Sequence, residues 1–179
     1  MNKYDSIIIK WAKNYQIPWE LVKADIYQES SFNPLAVSPA PANCKGLMQL
    51  SPPVYEPEGI DPFNPDDNIR VGCSYLKKMW NIFGDEKGLE RWKYALASYN
   101  CGAGYVIDAQ RKTKGTNAKI DKWYHLVLFL RDARVGTKRC DYLQTSEYVD
   151  KVIMKMVDYI IEHITSCSPC YGLEEYLKK

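Results

Sequence analysis

Apolar residues in this chain recur mostly at three- and four-residue intervals, the spacing of one face of an α-helix. Tyr4, Ile7, Ile8, Trp11, Ala12 and Tyr15 predict an amphipathic helix over 4–15. Pro18 suits the first turn of a second helix, over 18–30. Within it Val22, Ile26 and Glu29 share one stripe at i, i+4 and i+7, so Glu29 continues an apolar face. Ile69, Cys73, Leu76, Trp80 and Phe83 mark a third helix, with Asp66 or Asp67 placed to cap it. Leu89, Trp92, Leu96 and Tyr99 mark a fourth, which stops at Cys101-Gly102, where glycine suits a helix end. A further helix is predicted over 119–132. Thr145 stands as the cap of a long last helix whose inner face is Val149, Val152, Ile153, Met156, Ile160 and Ile164.

Residues 33–65 hold eight of the ten prolines and predict loop. Residues 111–118 predict a polar loop, and the tail beyond Ser166 is weakly specified. No period-two alternation of strand length occurs, and no internal repeat. The pattern predicts an all-α fold with one domain over residues 1–179, its core at 17–165 and a tail at 166–179.

The 179 residues suffice for one domain that buries roughly 70% of its unfolded surface. A net charge of +2 is too small to point to nucleic acid, and the densest basic stretch, Arg111-Lys112-Thr113-Lys114, suits a solvated loop. No apolar run approaches the roughly 18 residues of a membrane span. Lys10, Lys13 and Asn14 interrupt Ile7-Ile8-Ile9, so no secretory signal is expected there. This suits either a chain that starts in the cytoplasm or one whose leader has been removed. Tyr and Trp are numerous, at 14 and 5; their rings serve cores first and sugar faces second. The six cysteines do not by themselves establish disulfides in a chain of this size. Cys73 and Cys101 fit small buried apolar positions. Cys167-Ser168-Pro169-Cys170 lacks further ligands at zinc spacing, and neither His125 nor His163 supplies them, so no metal is expected.

The candidate chemistry centres on Glu29. A carboxylate at a helix C-terminus meets the negative end of the helix dipole, and an apolar stripe beside it hinders hydration. Both effects raise its proton affinity, as a general acid requires. Asp25, one turn earlier, suits a structural role. Gln49 carries both a donor and an acceptor for a sugar acetamide or hydroxyl, and Met48 is adaptable and apolar.

Five ordered segments together resemble the soluble-type lytic transglycosylases, whose fold is that of goose-type lysozyme. They are E-S-S-F-N-P-L-A-V-S at 29–38, G-L-M-Q-L at 46–50, N-I-R-V-G-C-S-Y-L at 68–76, A-L-A-S-Y-N-C-G at 95–102 and Q-T-S-E-Y-V at 144–149. The resemblance implies that Glu29 is the single catalytic acid and base. It implies that Ser38, Met48 and Gln49 line the cleft beside it, that Tyr99 and Asn100 contact an N-acetyl sugar, and that Tyr148 lies close to the carboxylate. Gln144, grouped here with the substrate-binding residues, stands where the family usually has Glu, which removes a carboxylate from that position. The loop Pro39-Ala40-Pro41-Ala42-Asn43-Cys44-Lys45 is longer than usual and lacks the customary glycine.

The implied partner is a peptidoglycan glycan strand, cut between N-acetylmuramic acid and N-acetylglucosamine with 1,6-anhydro ring closure, by a monomer needing no cofactor, no nucleic acid and no membrane insertion. The alternatives are hydrolysis with Glu56, Glu58 or Asp61 activating water, a non-catalytic wall-binding or virion module, and a cysteine-based redox or metal protein. A cell-wall enzyme without an export signal suits a bacteriophage lysin or virion component; a secreted bacterial enzyme with its leader removed is the alternative.

Overall fold

The computed structural model describes residues 2–113, 116 and 122–166. Its helices are α1 (Asp5–Tyr15), α2 (Trp19–Ser30), α3 (Pro52–Tyr55), α4 (Pro65–Ile82), α5 (Gly88–Cys101), α6 (Ala103–Thr113), α7 (Lys122–Leu130) and α8 (Tyr142–Ser166). A 3₁₀ turn follows α3 at Glu56–Glu58, and a hairpin pairs β1 (Arg134–Val135) antiparallel with β2 (Lys138–Arg139). The long helices meet the all-α expectation. The hairpin, and α3 with its 3₁₀ turn inside the predicted 33–65 loop, were not expected.

Five helices close a ring: α1 packs on α2, α2 on α8, α8 on α5, α5 on α4, and α4 back on α1. Leu21, Val22 and Ile26 of α2, Ile69, Cys73 and Leu76 of α4, Leu96 of α5, and Val149 and Val152 of α8 fill the middle with no exposed surface. Full burial of such side chains contributes about 1.5–3 kcal/mol each. Helices α6 and α7 lean on the outside of α5, and β1 packs on α6. Lys23 of α2 forms a buried ion pair with Asp5 of α1 at 2.9 Å, and its ammonium lies 4.7 Å from the Tyr159 ring centroid of α8. One side chain thus ties three members of the ring together.

Helix ends correct several sequence expectations. Helix α4 is capped by Asn64, whose Oδ1 accepts from the backbone N–H groups of Asp66 (3.0 Å) and Asp67 (3.3 Å). Pro65 occupies the first turn, and the two aspartates follow it near the positive end of the dipole. Helix α8 begins three residues before Thr145, and Asp141 accepts from the Gln144 N–H at 3.1 Å. Thr145 is buried instead and serves the site described below. Arg111–Thr113 close α6 and do not belong to a loop. Helix α7 starts at Lys122; positions 114, 115, 117–121 and 167–179, including Cys167 and Cys170, lie outside the described residues.

Two glycines are required by close approach. A Cβ at Gly46, where φ is +80°, would collide with the Pro62 carbonyl oxygen and the Asn68 amide. A Cβ at Gly72 would collide with the Met48 sulfur. Loop 46–50 therefore lies directly on α4.

Candidate active site

Helix α2 carries Asp25 and Glu29 toward the centre of the ring and then stops abruptly. Ser31 (φ 49°) and Phe32 (φ 63°) both adopt left-handed backbone, at a cost of about 1 kcal/mol or more each. The Ser31 N–H donates to the Tyr27 carbonyl at 2.9 Å, and the Phe32 ring packs against Tyr27. This double reversal sends the chain back across the end of the helix, so residues 36–50 cover the ground next to Glu29.

That loop is held by its own polar groups. Ser38 and Cys44 exchange bonds: the Ser38 N–H donates to the Cys44 carbonyl (2.9 Å), and the Cys44 N–H donates to Ser38 Oγ (2.8 Å). Lys45 and Leu50 pair in both directions at 2.9 and 3.0 Å. Gln49, itself in left-handed backbone, donates its amide hydrogens to the carbonyls of Ala36 (3.1 Å) and Gly46 (2.9 Å). Only its Oε1 is left to accept from a ligand, which corrects the expectation that it offers both a donor and an acceptor. Asn68 of α4 anchors the loop from below: its Oδ1 accepts from the Met48 N–H (2.8 Å), and its Nδ2 donates to the carbonyls of Lys45 (3.0 Å) and Pro62 (2.8 Å).

A pocket of about 510 Å³ opens beside Glu29. Of the residues singled out in the sequence, Glu29, Ser38, Gln49, Tyr99, Asn100 and Gln144 line it. Met48 and Tyr148 do not: Met48 is fully buried against Gly72, and Tyr148 is buried under the floor. Met48 instead offers its carbonyl oxygen to the Tyr99 hydroxyl at 2.7 Å. Asn100 accepts from the Thr145 hydroxyl at 3.1 Å through Oδ1, which leaves its Nδ2 hydrogens to donate. Glu56, Glu58 and Asp61 are exposed and do not line the pocket; Glu58 faces Arg70 at 3.5 Å and borders an adjoining hollow that shares Val54 and Tyr75 with it.

Glu29 is partly buried, and its carboxyl is pushed well above the usual carboxylate range. Burial is the main cause and the nearby Asp25 charge the second; a hydrogen bond from Tyr148 works the other way. Asp25 has no exposed surface, and burial pushes its carboxyl up to about 7 against a hydrogen bond from Tyr148. The Tyr148 hydroxyl donates to Asp25 Oδ1 in a short contact. Tyr99 and Tyr148 are both held protonated, first by burial and then by the charges of Asp25 and Glu29. Beside the pocket-lining Cys101, the buried Cys140 thiol is drawn down to about 7 by its hydrogen bond with the Cys101 thiol, and Thr145 Oγ1 lies 3.8 Å from Cys140 Sγ. Cys44, Cys73, Cys101 and Cys140 are free thiols, and no cluster among the described residues could hold a metal ion.

Asp25, read in the sequence as structural, is buried one turn before Glu29 and accepts from Tyr148. Two further contributors are not marked by the sequence. Tyr75, within the third motif, lines the pocket and packs against the Tyr99 ring with centroids 5.4 Å apart. Asn68, also in that motif, gave no signal beyond its position, since its worth lies in backbone groups distant in sequence.

Residues 6–122 match the family described as the transglycosylase SLT domain. The membrane-bound lytic murein transglycosylase F of Desulfosudis oleivorans is 39% identical over 126 residues, covering 69% of this chain and 27% of that protein. Its Vibrio cholerae counterpart is 38% identical over 126 residues, covering 66% and 23%. The chain thus spans about a quarter of the length of these relatives. Among solved structures, the 70 kDa soluble lytic transglycosylase of Escherichia coli superposes with a TM-score of 0.63 at 24% identity, covering 86% of this chain and 23% of that one. A complex of the 70 kDa enzyme with bulgecin A gives 0.66 at 24% identity, covering 90% and 24%. An inactive Slt mutant from Pseudomonas aeruginosa gives 0.65 at 24% identity, covering 97% and 26%. The likeness in fold takes in α8, which lies beyond the family match.

Proposed function

The chain belongs to the transglycosylase SLT domain family, and on that premise we propose that it cleaves murein glycan strands by lytic transglycosylation, with the pocket beside Glu29 as its substrate cleft. The observation that carries this reading is that Glu29 is the sole acidic side chain lining the pocket among the described residues, and that its surroundings favour the protonated form. Glu29 gives its proton to the oxygen bridging N-acetylmuramic acid and N-acetylglucosamine. The bond from C1 to that oxygen breaks, and the positive charge growing at C1 is met by the substrate's own acetamido oxygen. Glu29, now anionic, takes the proton of the C6 hydroxyl as that oxygen closes on C1. The products are a new chain end and a 1,6-anhydro ring; no water is consumed and Glu29 regains its starting proton.

Hydrolysis needs a second carboxylate that can reach water. Glu56, Glu58 and Asp61 do not line the pocket, and Asp25 has no exposed surface. Asn100 Nδ2 and Gln49 Oε1 are suited to the acetamide of the sugar. No described helix is long and apolar enough to cross a membrane. Mass spectrometry of murein digested by the protein tests the reaction. Fragments ending in 1,6-anhydro-N-acetylmuramic acid are expected; free reducing N-acetylmuramic acid in their place rejects cyclisation.

A further inference from the structure

Asp25 asks for an explanation that holding a tyrosine does not supply. Its side chain is fully buried, its Oδ1 accepts from the Tyr148 hydroxyl, and its Oδ2 has no hydrogen-bond partner among the described residues. An ionised carboxylate in such a place is costly, because half of its acceptor capacity goes unmet where water cannot reach. An asparagine could accept the same hydrogen bond without that penalty. Glu29 lies one turn further along α2, on the same face, and the Tyr148 hydroxyl bears on both carboxyls.

The other groups around the pair are also acids. Tyr148 faces it from α8, Tyr99 from α5 and Cys73 from α4, and Cys44 faces Glu29 from the loop. No cation is among the groups that bear on either carboxyl. Two carboxyls in one poorly hydrated site cannot readily both ionise, so the pair loses its protons in two separated steps.

Resting on the transglycosylase reading above, we propose that Asp25 is a positioning residue whose buried carboxylate, held by the Tyr148 hydroxyl one helical turn from Glu29, keeps a proton on Glu29 until the bridging sugar oxygen takes it. Asp25 touches no substrate. It gives up its own proton first, and its negative charge then makes the Glu29 proton harder to lose to solvent. The same charge makes the Glu29 anion a stronger base for the C6 hydroxyl proton, whose uptake returns the pair to its starting state.

Asp25→Asn tests this. The variant keeps the shape and the acceptor for Tyr148 but cannot ionise. The alkaline limb of its rate-versus-pH curve for murein digestion is expected to move down by about one pH unit, a tenfold change in proton affinity. Rescaling of the curve with the limb unmoved is what a purely structural Asp25 gives, and it overturns the proposal. Carboxyl titration by ¹³C NMR supplies a second readout that needs no activity. In the wild-type protein the Glu29 carboxyl should titrate after Asp25, and in Asp25→Asn the Glu29 step should move to lower pH by about one unit. A Glu29 step unmoved by Asp25→Asn overturns the proposal equally. Failure of the reaction itself looks different: Glu29→Gln would then lyse murein like the wild type, whatever the titrations show.

Discussion

Glu29→Gln should lower lysis of murein suspensions by about a thousandfold or more while leaving the fold in place. A positioned acid or base is commonly responsible for 10²- to 10⁴-fold, and Glu29 is asked to serve as both in one turnover. Glutamine retains the volume and one acceptor but has no proton to give at the bridging oxygen. The same variant carries a stability signature of definite sign. The folded protein holds the Glu29 proton more tightly than an unfolded chain does. The stability this confers is complete below the unfolded value near 4.5 and is lost as pH rises through the folded value. Glu29→Gln should therefore melt higher than the wild type at pH 8 and much closer to it at pH 4. Turbidity clearance and thermal melts at the two pH values check both parts; wild-type lysis by the variant removes Glu29 from the mechanism.

The largest loss of stability is expected at Asn68. Its side chain is buried and makes three hydrogen bonds to backbone groups of a loop it does not belong to. Asn68→Ala strips the acceptor from the Met48 N–H and the donor from the Pro62 carbonyl; the Lys45 carbonyl still accepts from Leu50. Each buried polar group left without a partner costs about 1–3 kcal/mol, and a small cavity adds to it. A total of about 3–4 kcal/mol lowers Tm by roughly 10 °C in a chain of this size. Activity should fall as well, because the Met48 carbonyl that orients Tyr99 sits on the same loop. Asn68→Asp should fare no better, since a carboxylate would face the Lys45 and Pro62 carbonyls with no hydrogen to donate. A melting point within 2 °C of wild type, measured by circular dichroism and judged against the roughly 2–4 °C expected per kcal/mol, would show that the loop stands without this anchor.

The ring of helices was legible wherever a helix buries one stripe. Ile69, Cys73 and Leu76 announce α4 because nothing else satisfies that spacing. Helix α6 was missed because only Val106 and Ala109 are buried in it, too few positions to set a period. The caps were misjudged where a neighbour competed: Pro65 at the first helical position puts Asn64, not Asp66 or Asp67, in the capping place. Glu29 was legible because a carboxylate continuing an apolar stripe is anomalous on its own. Gln49 was misjudged because side-chain bonds back to a loop's own carbonyls depend on backbone curvature, which residue types do not disclose. Thr145 reads as a cap in the sequence because the partner it serves, Asn100, is 45 residues away.

The family match ends at residue 122, yet the Tyr148 hydroxyl that holds Asp25 comes from α8, and α8 packs on α2. Anyone transplanting this unit into a fusion should therefore ignore the border that sequence matching suggests. A piece trimmed there would carry its acid into the new host with the α8-facing side of α2 laid bare, and would invite clumping before it ever met a wall.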